Sequence, residues 1–226
     1  MSNYHTFQSG EEYTLGRLLG TPHCLVVPDL QRDYCWGSET YGRNREAQGE
    51  LVTAFVDDLI EAFRADEART LGVLYGYEEV AGRVMLCDGQ QRFTTLYLLV
   101  GVLTHRIDGV KFASNLQGFP GDVRLSYEVR ESTLSFLGDL SRYYFCDRSG
   151  VLPPAEGEDK TQTPDWYRHA YDLDPSACSM LAAVRTIEAR LDAAGVDEGD
   201  FGRYVLDELR FVYYDMGDRQ HGEEAF

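Results

Sequence analysis

The chain has 226 residues, 43% of them hydrophobic and 12% aromatic, and it carries 21 Lys+Arg against 38 Asp+Glu for a formal net charge of -17. That composition supplies a globular core and excludes an intrinsically disordered chain. The charge opposes non-specific binding to DNA, which rests on Lys and Arg displacing counterions, so any nucleic-acid contact must come from a local patch or from another segment.

No apolar run approaches the ~20 residues that cross a bilayer. The first twenty residues show no basic segment leading into an apolar one, so no secretory leader is read. The five cysteines form no CxxC pair, and neither a disulfide framework nor a zinc site is expected. A reduced, cytoplasmic protein without a membrane partner fits these features.

In chain order, Ser9 followed by Glu11 and Glu12 reads as a helix start covering about 11–19. Cys24-Leu25-Val26-Val27, closed by Pro28, reads as a buried strand. Residues 29–45 are polar and irregular. Val52, Phe55, Val56, Leu59, Ile60 and Phe63 recur at helical spacing. Two runs, 71–77 and 83–87, read as paired strands joined through Glu78, Glu79 and Gly82.

After Asp88-Gly89, residues 90–107 form a helix that is apolar nearly all round. Further on come a strand at 123–128, a short helix at 132–140 and a loop at 147–165. Asp174 is placed to cap a helix beginning at Pro175. A shorter helix around 201–209 leads into a strand at 210–214. Beyond it, the sequence through Phe226 reads as a polar turn and a first helical turn, as in a fragment of a longer protein. The class is α+β: a small mixed sheet packed with helices, plus a helical segment around 131–207. Residues 1–130 form the core and 131–226 a helical extension and returning strand of the same domain. A regular βαβ alternation is missing, which argues against a Rossmann sheet.

The chemically richest stretch is Val84-Met85-Leu86-Cys87-Asp88-Gly89-Gln90-Gln91-Arg92-Phe93-Thr94-Thr95. A strand ends, a tight turn follows and a helix begins. The first helical amides lack internal partners, and the helix dipole adds partial positive charge. Gly89 permits close approach, Arg92 adds a cation, and Gln90, Gln91, Thr94 and Thr95 add neutral donors. Two readings fit: an anion site suited to phosphate, or a plain turn-and-cap with a solvated Arg. GxxxxGK[ST] is absent, so it is not a Walker A loop. A second stretch, Val27-Pro28-Asp29-Leu30-Gln31-Arg32-Asp33-Tyr34-Cys35-Trp36, also has two readings. It is a ligand loop offering Arg32 to a pocket and Tyr34 or Trp36 to a base, or those aromatics are core anchors under a long loop.

Taken together, VPDLQRDYCW, LGVLYGY and LCDGQQRFTTLYLLV resemble the N-terminal domain of GmrSD-type (type IV) restriction endonucleases and the SspE-like defence domains. DGQQR followed by TTL is the specific element, and the likeness spans nearly the whole chain. Leu30 departs from the family pattern, which has an aromatic before Gln-Arg. The family pattern also continues past residue 226.

The resemblance implies a ParB/sulfiredoxin-like core and hydrolysis of a nucleoside triphosphate, GTP or UTP, with Mg²⁺. It further implies a role regulating an HNH-type nuclease domain, in the same chain or a partner subunit, that cuts modified DNA. No nuclease motif lies within this chain. The catalytic candidates are then Asp88, Gln90, Gln91 and Arg92. Asp88 either holds Mg²⁺ or fixes Arg92, and Gln90 or Gln91 orients the attacking water. Gly89, Arg92, Thr94, Thr95, Gln31 and Arg32 are the nucleotide-binding candidates, with Tyr34 and Trp36 for a base or DNA. The alternatives are a sensor that binds nucleotide or modified DNA without hydrolysis, and a protein-interaction domain.

Overall fold

A computed structural model describes residues 6–20, 23–28, 31–38, 45–107, 112–117, 123–128, 131–148, 150–155 and 159–217. The expectations for Leu30, for residues 39–44 and for a helix start after 217 lie outside these residues.

The architecture is α+β. Six strands, β1 (Glu12–Thr14), β2 (Cys24–Val27), β3 (Arg69–Val80), β4 (Arg83–Asp88), β5 (Leu125–Tyr127) and β6 (Leu209–Asp215), form one mixed sheet in the order β1-β6-β3-β4-β2-β5. The expected hairpin is β3 against β4, antiparallel, with Tyr77 opposite Met85. It closes through Gly82, whose φ of 80° suits glycine. β2 runs parallel to both β4 and β5, with Leu25 opposite Val84 and Leu125.

The helices are α1 (Leu15–Leu18), α2 (Arg45–Arg64), α3 (Gln90–Arg106), α4 (Glu131–Asp139), α5 (Pro175–Ala194) and α6 (Glu198–Asp207). α4 continues into a wider π-helical stretch, Leu140–Cys146. Alternation along the strands splits the sheet faces. Leu25, Val27, Val84, Leu86 and Phe211 join one large core with residues of all six helices. Val26, Met85, Cys87 and Tyr77 form a smaller cluster that contains no helix residue. Burial of α3 on every side, expected from its apolar surround, is observed: Leu96, Tyr97, Leu98, Leu99, Val100 and Val102 are all within 1% of complete burial.

One expected element changes. The helix read over 11–19 is a strand, Glu12–Thr14, followed by the single turn of α1. Tyr13 pairs with Phe211 of β6, so sheet pairing overrides the acidic helix-start signal. Thr14 is the true cap, accepting from the Arg17 amide at 3.2 Å.

Candidate functional site

β2, β4 and β5 are parallel, so their carboxyl ends share one edge of the sheet. Ligand crevices in open sheets lie outside carboxyl ends of this kind. Both motif stretches emerge there. The 31–36 loop follows β2, and Asp88-Gly89 leads from β4 into α3.

Gly89 holds φ at 86° and is the residue before α3; among the described residues no side chain caps the helix. The glycine is required twice over. Its φ is left-handed, and a Cβ there would lie 2.5 Å from the Leu74 side chain. The helix therefore begins with its leading amides aimed along the dipole and, among the described residues, unclaimed by a side chain.

Arg92 stands one turn in and is half-buried. Its guanidinium donates to the Leu71 carbonyl. It reaches that carbonyl across Gly72, where a Cβ would come within 2.7 Å of Nη1 and φ is 118°. Among the described residues, no carboxylate forms an ion pair with Arg92. A partly buried cation beside an uncapped helix start is the kind of arrangement that accepts anions. Asp88 is exposed and, among the described residues, forms no ion pair with Arg92; this leaves Asp88 free to meet a cation rather than to orient the guanidinium.

The two glutamines are both buried, at 5% and 4% exposure. Gln90 Nε2 donates to Gln31 Oε1 at 3.0 Å. Gln91 accepts from the Cys35 amide at 3.0 Å and donates to the Asp33 carbonyl at 2.8 Å. The structure thus brings Gln31, Gln90, Gln91, Gly89 and Arg92 together at one helix tip.

Four of the expected contacts are placed otherwise. Thr94 and Thr95 have no solvent exposure. Thr94 Oγ1 lies 2.8 Å from the Tyr127 hydroxyl, and Thr95 Oγ1 lies 2.9 Å from that of Tyr34 and donates to the Gln91 carbonyl. These hydroxyls lock α3 to its neighbours from beneath, because at helical spacing positions 94 and 95 point into the core. Tyr34 is 1% exposed and is a core anchor. Burial pushes its phenol, and likewise that of Tyr127, far above the ordinary value. Trp36 packs edge-to-face on Phe55 of α2, with ring centroids 5.6 Å apart. Arg32 is exposed. Burial raises the Cys35 thiol pKa; Arg32 counteracts this and Asp33 reinforces it.

What residue patterns did not reveal is how the 31–36 loop is supported. The Tyr34 amide donates to Ser176 Oγ at 3.2 Å, at the start of α5. That helix is capped by Asp174, as its Asp-Pro pair indicates; the carboxylate accepts from the Ser176 and Ala177 amides and from the Ser132 and Thr133 hydroxyls. At Gly37 the loop lies against α5 so closely that a Cβ would sit 2.6 Å from the Ala183 nitrogen. Gly72 is the other residue missed. A glycine inside a strand signals close approach of another group, and here that group is Arg92.

Among the described residues, no group of three or more His, Cys, Asp or Glu side chains could hold a metal ion, and no helix is long and apolar enough to cross a membrane.

A mixed sheet with an arginine-flanked helix start at its carboxyl edge defines an α+β domain. A family comparison says which: residues 15–226 match the N-terminal domain of the GmrSD restriction endonucleases, and the chain belongs to that family. It is therefore a domain of a restriction, or DNA-defence, protein. A search of curated proteins finds no match.

Proposed function

We propose that this domain binds a nucleoside triphosphate at the start of α3 and hydrolyses it as the regulatory step of a phage-defence restriction protein. The observation that carries the reading is Arg92, a half-buried cation with no carboxylate partner among the described residues, beside the uncapped helix tip at Gly89. In a chain of net charge -17, an anion must be held by such a local cation, because the overall charge opposes its approach.

Phosphoryl transfer needs positioning and charge neutralisation more than covalent chemistry. The leading amides of α3 and the remaining donors of Arg92 hold phosphate oxygens. Gly89 lets the backbone approach them. One of the two glutamines orients a water. That water's oxygen bonds to the γ-phosphorus as the bond to the β–γ bridging oxygen breaks. The diphosphate leaves with the electron pair, and the water's proton goes to the released orthophosphate. Mg²⁺ is commonly held by one or two carboxylates plus substrate phosphates, which suits a single exposed Asp88; bound there, it would neutralise charge between phosphates. GTP and UTP are the substrates to try first, and coupling to an HNH-type nuclease acting on modified DNA is the output.

A second reading, a sensor that binds nucleotide without turnover, is favoured by one observation: the side chains of Gln91, Thr94 and Thr95 are already committed to protein partners.

Orthophosphate release from GTP and UTP with Mg²⁺, measured on wild type and Arg92→Ala beside calorimetry with non-hydrolysable analogues, tests both. Turnover lost in the variant supports hydrolysis. Binding without turnover supports the sensor. Equal rates in the two proteins remove Arg92 from the site.

A further inference from the structure

The adjacent glutamines of the DGQQR motif face different tasks. The Gln91 carboxamide is engaged with the protein at both ends. Its Oε1 accepts from the Cys35 amide at 3.0 Å, with the Cys35 thiol 3.8 Å away, and its Nε2 donates to the Asp33 carbonyl at 2.8 Å. Its own carbonyl takes the Thr95 hydroxyl, which meets the Tyr34 phenol. Three successive loop residues, Asp33, Tyr34 and Cys35, are thus tied to α3 through one side chain and the turn it sits on, while the Tyr34 amide is tied to Ser176. Gln90 differs. It is 95% buried by complement of its 5% exposure, yet its one hydrogen bond among the described residues is the donation to Gln31. Its carbonyl oxygen remains an unclaimed acceptor at the helix tip, and Gln31 retains its amide donors. An acceptor left open beside the uncapped start of α3 is placed to meet a ligand or its water.

We propose that the motif divides its work: Gln91 is a positioning residue that fixes the 33–35 loop against α3, and Gln90, paired with Gln31, is the glutamine that meets the attacking water of the bound triphosphate. The ligand half rests on the nucleotide reading above; the positioning half does not. Gln90 Oε1 accepts a hydrogen bond from the water and takes no proton from it.

The matched isosteres Gln90→Met and Gln91→Met, made in the 226-residue chain, separate the roles. Without nucleotide, alkylation of Cys35 by iodoacetamide, located by mass spectrometry, rises about tenfold or more in Gln91→Met and stays at the wild-type rate in Gln90→Met. Gln91→Glu, which keeps the acceptor for the Cys35 amide, falls between them. Hydrogen exchange of wild type finds the Cys35 amide protected, which needs no variant at all. With GTP and Mg²⁺, Gln90→Met lowers kcat by about 100-fold, the size seen when one group poised for the transition state is removed. Gln91→Met chiefly raises KM.

An unprotected Cys35 amide in wild type, or unchanged Cys35 labelling in a folded Gln91→Met, overturns the positioning role. A Gln90→Met variant with wild-type kcat overturns the ligand role. Wild type that neither binds nor turns over nucleotide refutes the nucleotide reading and the ligand role with it, while Cys35 labelling still decides the positioning role.

Discussion

The hydroxyls of Tyr34 and Thr95 lie 2.9 Å apart where neither has contact with solvent. This pair joins the loop after β2 to the second turn of α3, and its two members are not equivalent. Tyr34→Phe leaves Thr95 bonded to the Gln91 carbonyl, so it costs about 1 kcal/mol. Thr95→Val strands a buried phenol and costs about 2 kcal/mol. Urea unfolding of the two variants measures the difference, and the order Thr95→Val below Tyr34→Phe is the expected result.

Gly72 controls Arg92 from a distance of 20 residues in sequence. Gly72→Ala places a methyl carbon 2.7 Å from Nη1 at a φ of 118°. The guanidinium must move and the strand is strained, at a cost of about 1–3 kcal/mol. Calorimetry with a GTP analogue will show weaker binding in Gly72→Ala, matching the direction of Arg92→Ala although Arg92 is intact.

Asp174 supports the loop through the start of α5. Burial alone would raise its pKa, but the hydroxyls of Ser132 and Thr133 and the amides of Ala177 and Ser176 outweigh that and hold it below the ordinary carboxylate value. The carboxylate's contribution to stability is therefore complete above the unfolded value of 3.8 and is lost as pH falls below it toward the folded value. Asp174→Ala removes a cap and leaves two hydroxyls without their acceptor, which costs about 2–4 kcal/mol at neutral pH. Thermal melts from pH 6 to pH 3 will show a shallower acid decline in the variant than in wild type.

His23 titrates in a different window. It is 2% exposed, and its Nε2 donates to the Leu18 carbonyl at 2.7 Å. Burial lowers its pKa from 6.5, despite that bond, and the charges of Arg17 and Arg124 push the same way. The unfolded chain thus binds a proton before the folded one does. Stability falls as pH drops below 6.5 and continues to fall to the folded pKa. In His23→Gln, melting temperature between pH 7.5 and 5 will change less than in wild type.

Much of the fold was legible because local periodicity is a local property. The six-residue apolar recurrence of α2, the all-round apolar α3, the β3–β4 hairpin and the Asp174-Pro175 start of α5 each follow from spacing or capping chemistry within a few residues. The segment 11–19 misled because its acidic pair signals a helix start, whereas pairing with a strand nearly 200 residues later decides its state. Within the site, the sequence showed the helix tip: a strand, a turn that demands glycine and an arginine at fixed offset.

The duties of the neighbouring side chains were decided only in three dimensions. Gln91 and Cys35 are 56 residues apart, Gln90 and Gln31 are 59 apart, and Tyr34 and Thr95 are 61 apart. Residues 90, 91, 94 and 95 are all polar and close in sequence, so composition treats them alike. The direction in which each leaves the helix, and the partner that waits there, is fixed by how α3 packs between the sheet and α5. Sequence by itself determined that this chain carries a glycine-opened helix start with an arginine beside it; the tertiary structure determined which polar groups are spent on holding that start in place and which are left open. The reason is that hydrogen bonds in a buried space are short and directional, so each polar group is assigned by its neighbours in space rather than by its neighbours in the chain.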